Sequence, residues 1–158
     1  MMRQVEELLL ECPECGEQTV STKMTLHTFN YGHGENAIPI TATLPLRVCT
    51  RCEFEYYDKE GQDAQHEAVC RHFGLMTPAE IRQLRERHEL SRAEFADLTG
   101  LGEATIARWE RGALIQNVGN DRFLRLLGRE ENVGLLRTLK TAVEVAPLAP
   151  EAFGSSPS

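Results

Sequence analysis

The chain has 158 residues, 41% hydrophobic and 26% charged. This is the balance of a soluble globular protein of one domain or two small ones, and it excludes a collagen-like or wholly disordered chain. No apolar run reaches the roughly 18 residues that a membrane helix needs. The opening MMRQVEELLLE sets one base before three acids, the wrong order for a secretory leader, so a cytoplasmic location is expected, with cysteines reduced or metal-bound.

The net charge of −7 is unevenly spread. Residues 1–76 hold 6 Lys/Arg against 12 Asp/Glu, whereas residues 77–128 hold 8 arginines against 8 acids. The first segment should repel nucleic acid and suit a basic protein partner. Any DNA-binding face belongs to the second, where it must rest on a local arrangement of arginines.

In chain order, Val20, Thr22, Met24 and Leu26 alternate as in a half-buried strand, and a turn-like run, Asn30 to Asn36, follows. Ile38, Ile40, Ala42, Leu44, Leu46 and Val48 alternate with Pro39, Thr41, Thr43, Pro45 and Arg47. The two strands read as a long hairpin, with the second at an edge because its prolines lack amide donors. Phe54, Tyr56 and Tyr57 suggest a third short strand.

After residue 62 the period becomes helical. Asp63 to Phe73 reads as a helical arm. Thr77-Pro78-Ala79-Glu80 opens a helix to about residue 87, and Ser91-Arg92-Ala93-Glu94 carries a capping box that opens another to Leu98. Thr99-Gly100 breaks that helix, a third runs from Glu103 to Arg111 before Gly112, a fourth begins near Asn120, and Val133 to Ala142 reads as a short fifth. The end, from Pro147 to Ser158, is expected to be a disordered tail. The expected class is α+β. A zinc-binding β-hairpin domain occupies residues 1–60, a helical linker 61–76, a helix-turn-helix domain for DNA binding and dimerisation 77–145, and the tail 146–158.

Four of the five cysteines form two CxxC pairs, Cys12/Cys15 and Cys49/Cys52, with 33 residues between the pairs. Two residues between ligands let a tight turn aim both sulfurs at one point, and two such knuckles complete a tetrahedron. Thiolates favour soft or borderline metals, and four of them leave no open position, so one structural Zn2+ per chain is expected. The competing readings are an iron-sulfur or rubredoxin-like iron site and a dithiol redox switch; a redox CxxC normally opens a helix in a βαβ setting, which this pattern lacks. Gly16 follows the first knuckle, and Glu53 stands at the matching place of the second, where glycine is common. Cys70, with His66 and His72 nearby, has no ligand spacing that makes a second site. No phosphate loop, nucleophile elbow or paired acid/base set is present, so an enzyme is not expected.

Residues 90–112, LSRAEFADLTGLGEATIARWERG, have the form of a helix-turn-helix. Leu90, Phe95, Ala96, Leu98, Leu101, Ile106 and Trp109 are spaced to pack its helices together. Thr105 and Arg108 fall on a face turned from Ile106 and Trp109, free to enter a major groove. Arg108 can donate a bidentate pair to guanine, and Thr105 can reach a base edge. Arg92 and Arg111 are placed for phosphates, which position without specifying.

This stretch resembles the XRE/Cro-type repressor domain. Together with Cys12-Pro13-Glu14-Cys15-Gly16, the Cys49/Cys52 pair, Thr77-Pro78-Ala79-Glu80-Ile81 and Arg108-Trp109-Glu110-Arg111-Gly112, it is similar to the MqsA (YgiT-type) antitoxin family over residues 10 to about 143. The resemblance implies a dimeric bacterial antitoxin whose zinc module meets a cognate protein toxin and whose C-terminal half represses its own promoter at a palindromic operator in double-stranded DNA. Ala104 stands where such repressors often carry a side-chain amide, so base readout is expected to be either reduced or shifted to Thr105 and Glu103. A homodimer is also expected because one recognition helix buries too little for specificity; Phe123 to Leu127 and Leu135 to Val143 offer candidate faces. The alternative is a stand-alone zinc-containing transcriptional regulator with no toxin.

Overall fold

The alternating stretches pair as expected. In the computed structural model, which describes residues 9–145, an antiparallel sheet has the order β1-β2-β3-β4. Its strands are β1 (Leu10–Glu11), β2 (Gln18–Tyr31), β3 (Ile38–Cys49) and β4 (Glu55–Tyr56). Six helices follow: α1 (Lys59–His72), α2 (Pro78–Arg87), α3 (Arg92–Thr99), α4 (Glu103–Glu110), α5 (Val118–Leu126) and α6 (Glu130–Val145). The chain divides into two compact units, one ending at Thr77 and one beginning at Pro78. The tail expected over 146–158 lies outside the described residues.

In the first unit, β2 and β3 pair from Val20 opposite Cys49 to Tyr31 opposite Ile38. β4 pairs β3 only at Arg47 and Val48, so Pro39 and Pro45 lie in the part of β3 that has no second strand, as their missing amides require. The expected buried phase of β2 is reversed along most of its length. Val20 is buried, but Met24 and Leu26 are 61% and 71% exposed, and the half-buried residues are Thr25, His27 and Phe29. These odd positions face the same way as Ala42, Leu44 and Ile40, their partners on β3. That face is the one with a cover: His27 packs on Tyr57, and Tyr31 on Phe73, with ring centroids 5.5 Å apart in both pairs.

The helix expected from Asp63 starts four residues earlier, at Lys59, and lies within the unit that ends at Thr77. Asp58 is its N-cap, accepting the Gly61 N–H at 3.2 Å. Glycine at 61 permits a close approach to the strand: a β-carbon there would lie 2.8 Å from the Tyr57 ring and 3.0 Å from the Pro45 carbonyl oxygen. α1 thus covers the open edge of β3. Arg47 stitches the same junction, donating to Asp58 at 2.8 Å and to Glu60 at 2.7 Å, and also to the Thr22 hydroxyl on β2.

In the second unit the expected helix boundaries hold closely for α2, α3 and α4. The Ser91/Glu94 capping box forms in both directions, and Gly100 ends α3 in the left-handed conformation at φ 73°. α5 starts at Val118, capped by Asn117, and α6 runs through Val145, longer than the short helix expected. Ile81, Leu84, Phe95, Ile106, Trp109, Leu124, Leu127 and Val133 are buried together. A charged group lies among them. The Glu110 carboxylate has no exposed surface and accepts from Arg85 at 2.6 and 3.1 Å and from Arg92 at 2.7 Å. Burial pushes its pKa up, but the two guanidiniums outweigh this and hold it below the usual carboxylate range.

Two outcomes follow. Gly61→Ala should cost ~1–3 kcal/mol of first-unit stability through overpacking, read by denaturant midpoint; an unchanged midpoint would mean that α1 does not press on β3. Glu110→Ala, which leaves buried Arg85 with only the Leu90 carbonyl and a longer approach of Glu86 at 3.7 Å, should cost ~3–5 kcal/mol. Because the folded carboxyl titrates below its unfolded value, the pair contributes at neutral pH and its contribution is lost as pH falls through the lowered pKa. Acid titrations of Glu110→Gln should therefore show a shallower acid limb than the parent.

Candidate functional site

The two knuckles are built alike. Gly16 N–H donates to the Cys12 carbonyl at 2.8 Å and Glu53 N–H to the Cys49 carbonyl at 3.0 Å. Cys12 N–H reaches the Glu17 carbonyl at 2.9 Å, and Cys49 N–H the Phe54 carbonyl at 3.0 Å. Both turns need a left-handed residue after the second cysteine, met by Gly16 at φ 74° and by Glu53 at φ 60°. Glu53 adopts it without the freedom of glycine, a strain of ~1–2 kcal/mol.

The hairpin register brings the knuckles together, since Val20 lies opposite Cys49 and Thr50 N–H donates to the Thr19 carbonyl at 3.1 Å. All four sulfurs fall within 4.8 Å of one another. Cys12 is 3.7 Å from Cys52, and Cys15 is 3.7 Å from Cys49. Zn–S bonds of ~2.3 Å in a tetrahedron put sulfurs ~3.8 Å apart, so the donor set fits one structural zinc ion. Cys12 and Cys49 are buried, Cys15 and Cys52 exposed. The Thr19 hydroxyl, 3.1 Å from Cys49 Sγ, and the Cys52 N–H favour the Cys49 thiolate, and its pKa falls to about 6. Such contacts to sulfur stabilise the ionised ligand that a metal requires. Among the described residues no other cluster has metal-ligand proximity; Cys70 is buried within α1.

The residues expected at DNA divide into two sets. On α4, Ile106, Trp109 and Glu110 are buried, while Glu103, Ala104 and Arg108 are exposed, as is Arg111 just after it, and Thr105 is half-buried. Positions 104, 108 and 111 recur at helical spacing on the outward face. Arg92 is placed differently. Its Nε is committed to Glu110, and its side chain is 40% exposed, so it fastens α3 to α4. Glu110 itself escaped sequence reasoning, because Arg85 and Arg92 lie 25 and 18 residues from it. A glutamate between tryptophan and arginine at a helix end was the available signal.

Chelation of the metal should unfold the first unit, whose core around the sulfurs is small, and leave the second folded. The helical circular-dichroism signal should fall only by the share of α1, and the cooperative melt of the second unit should persist. Loss of the whole helical signal would show that the two units do not fold independently. Glu53→Gly should relieve its turn and raise the chelator concentration needed for unfolding.

Comparison with curated proteins finds no match. A family model described as the antitoxin component of a bacterial toxin-antitoxin system, MqsA, matches residues 10–139, which takes in both knuckles and the helices through most of α6. With the four-thiolate centre at one end of that match and the six helices after it, the chain belongs to the MqsA antitoxin family.

Proposed function

We propose that this antitoxin is a cytoplasmic homodimer that represses its own operon, binding a palindromic operator through α4 and neutralising a cognate protein toxin through the zinc-bearing unit, with no catalysis of its own. The observation that carries the DNA part is the two-sided character of α4. Its inner face is anchored by Ile106, Trp109 and the Glu110 ion pairs, and its outer face presents Ala104, Arg108 and Arg111. A rigid helix with two outward arginines and a small residue between its polar positions suits entry into a major groove. Arg108 then reads a base, Glu103 and Thr105 contact neighbouring edges, and Arg111 meets a phosphate. Arg92 acts chiefly by holding α4 in place.

Exposed Leu126 in α5 and Leu135 and Leu139 in α6, each more than half exposed, support dimerisation through this unit. Two half-sites one DNA turn apart would multiply a modest single-helix affinity. The acidic first unit supports a basic protein partner and disfavours a direct DNA role.

The test is operator binding with variants. Arg108→Ala should cost ~1–3 kcal/mol at one operator position and relax preference there, whereas Arg111→Ala should weaken all sequences alike and reduce the salt slope by about 1. Equal loss on operator and random DNA from both changes would remove Arg108 from base recognition. For the toxin, the product of the adjacent reading frame should arrest growth alone and be rescued in a stable complex by this chain; no toxicity and no complex would sink the neutralising role.

A further inference from the structure

α4 ends in a backbone turn that takes up its last carbonyls. Arg111 N–H returns to the Ala107 carbonyl at 3.2 Å, Ala113 N–H to that of Arg108 at 2.9 Å, and Gly112 N–H to that of Trp109 at 3.1 Å. Gly112, left-handed at φ 69°, permits this crossed closure. The closure stops one carbonyl short of the helix end. That carbonyl belongs to Glu110, and a side chain from another helix donates to it: the Arg82 Nη2 of α2, at 2.8 Å. A guanidinium there also offsets the negative end of the helix dipole.

Glu110 is thereby held twice. Its carboxylate accepts from Arg85 and Arg92, and its carbonyl from Arg82. Arg82 and Arg85 stand three apart on α2, one above the other on a shared face, while Arg92 opens α3. The two grips act differently. The carboxylate pairs work through a side chain with torsions of its own, whereas the Arg82 bond grasps the backbone of α4 between Arg108 and Arg111. Arg85 is buried and Arg82 exposed, so removing Arg85 strips a buried carboxylate of a partner, while removing Arg82 leaves no charge unpaired in the core.

We propose that Arg82 is a positioning residue for DNA reading: its bond to the Glu110 carbonyl fixes the C-terminal end of α4 against α2, and so sets where Arg108 and Arg111 meet the duplex. The proposal rests on the DNA-binding role given above and adds to it a residue that does not itself touch DNA. Bidentate pairing to a base edge tolerates little error, with donors needed within ~0.5 Å and ~10–20° of the productive geometry. Phosphate contacts carry no sequence information and are far more forgiving. Loss of the Arg82 bond therefore falls on sequence preference, not on affinity for DNA in general.

The test uses the full zinc-loaded chain, a labelled duplex from immediately upstream of its own reading frame, and a random duplex of the same length, with binding read by anisotropy over a range of salt. Arg82→Ala should lose ~10-fold on the upstream duplex, the size of a charge-assisted hydrogen bond. Random-duplex affinity and the salt slope should stay at the parent values, and amide exchange at Arg111, Gly112 and Ala113 should quicken. Arg82→Lys, which can still donate to the carbonyl, should recover part of the preference. Arg82→Met keeps the aliphatic stem without the donor and decides the matter if the alanine variant fails to fold, with circular dichroism and the emission of Trp109, the single tryptophan, reporting folding. Parent-like affinity for the upstream duplex in a folded alanine or methionine variant would overturn the proposal. So would equal loss on both duplexes with a salt slope lower by about 1, the mark of a direct phosphate contact. No preference for the upstream duplex by the parent chain would instead overturn the DNA-binding role itself.

Discussion

Four cysteine sulfurs within 4.8 Å of one another are the constraint on which the N-terminal unit depends. The core beside them is slight: Val20 and half-buried Tyr56 pack against the buried Cys12 and Cys49. Away from the knuckles the sheet of the described residues narrows to two strands, and a two-stranded ribbon is marginal in water. Two devices offset this. The zinc site closes the base of the hairpin, and α1, brought against β3 through Gly61 and fastened by Arg47 to Asp58 and Glu60, supplies the cover that a third full strand would otherwise give.

The helical unit solves a different problem, because its core contains charge. Glu110 is held by Arg85 and Arg92, and buried Asp121 accepts from Gln116 at 3.0 Å and from Arg125 at 2.7 Å. These pairs take the two carboxylates out of the surface charge and commit arginine N–H groups to them, with Arg85 itself buried. The even balance of 8 arginines and 8 acids over residues 77–128 therefore says little about the outward face of α4, where Arg108 and Arg111 are exposed. Internal pairing and outward presentation are two uses of one residue type. His88 adds a further link from the end of α2, with its Nε2 2.7 Å from the Leu127 carbonyl and its Nδ1 3.1 Å from Glu130.

Features set by local chemistry were legible in the residues themselves. The CxxC spacing located the metal ligands, Ser91 and Glu94 located the start of α3, and Gly112 the end of α4. Features set by distant partners were not. Alternation in Val20, Thr22, Met24 and Leu26 correctly called a strand, but which phase is covered depends on where α1 lies, and α1 itself was placed late because Asp58 was not recognised as its cap. The two-residue β1 exists only through pairing with β2 and has no pattern of its own. The Arg92–Glu110 ion pair was not legible because nothing near Arg92 in the chain betrays Glu110, whereas the exposure of Arg108 follows from helical spacing against Ile106 and Trp109.

The register of the hairpin also governs how the metal site assembles. The ligand pairs are 33 residues apart in the chain, and drawing together the ends of a free loop that long carries a conformational-entropy cost that grows with the logarithm of its length. Here the strands can zip from the turn at Gly34–Asn36 through local, low-order contacts, and each pair formed shortens the open loop until Val20 meets Cys49. By then the second knuckle has been delivered to the first. Metal capture then holds the zipped hairpin closed, so the free energy of binding is the folding free energy of the unit, tuned by knuckle geometry, including the one residue held in an unfavourable backbone conformation.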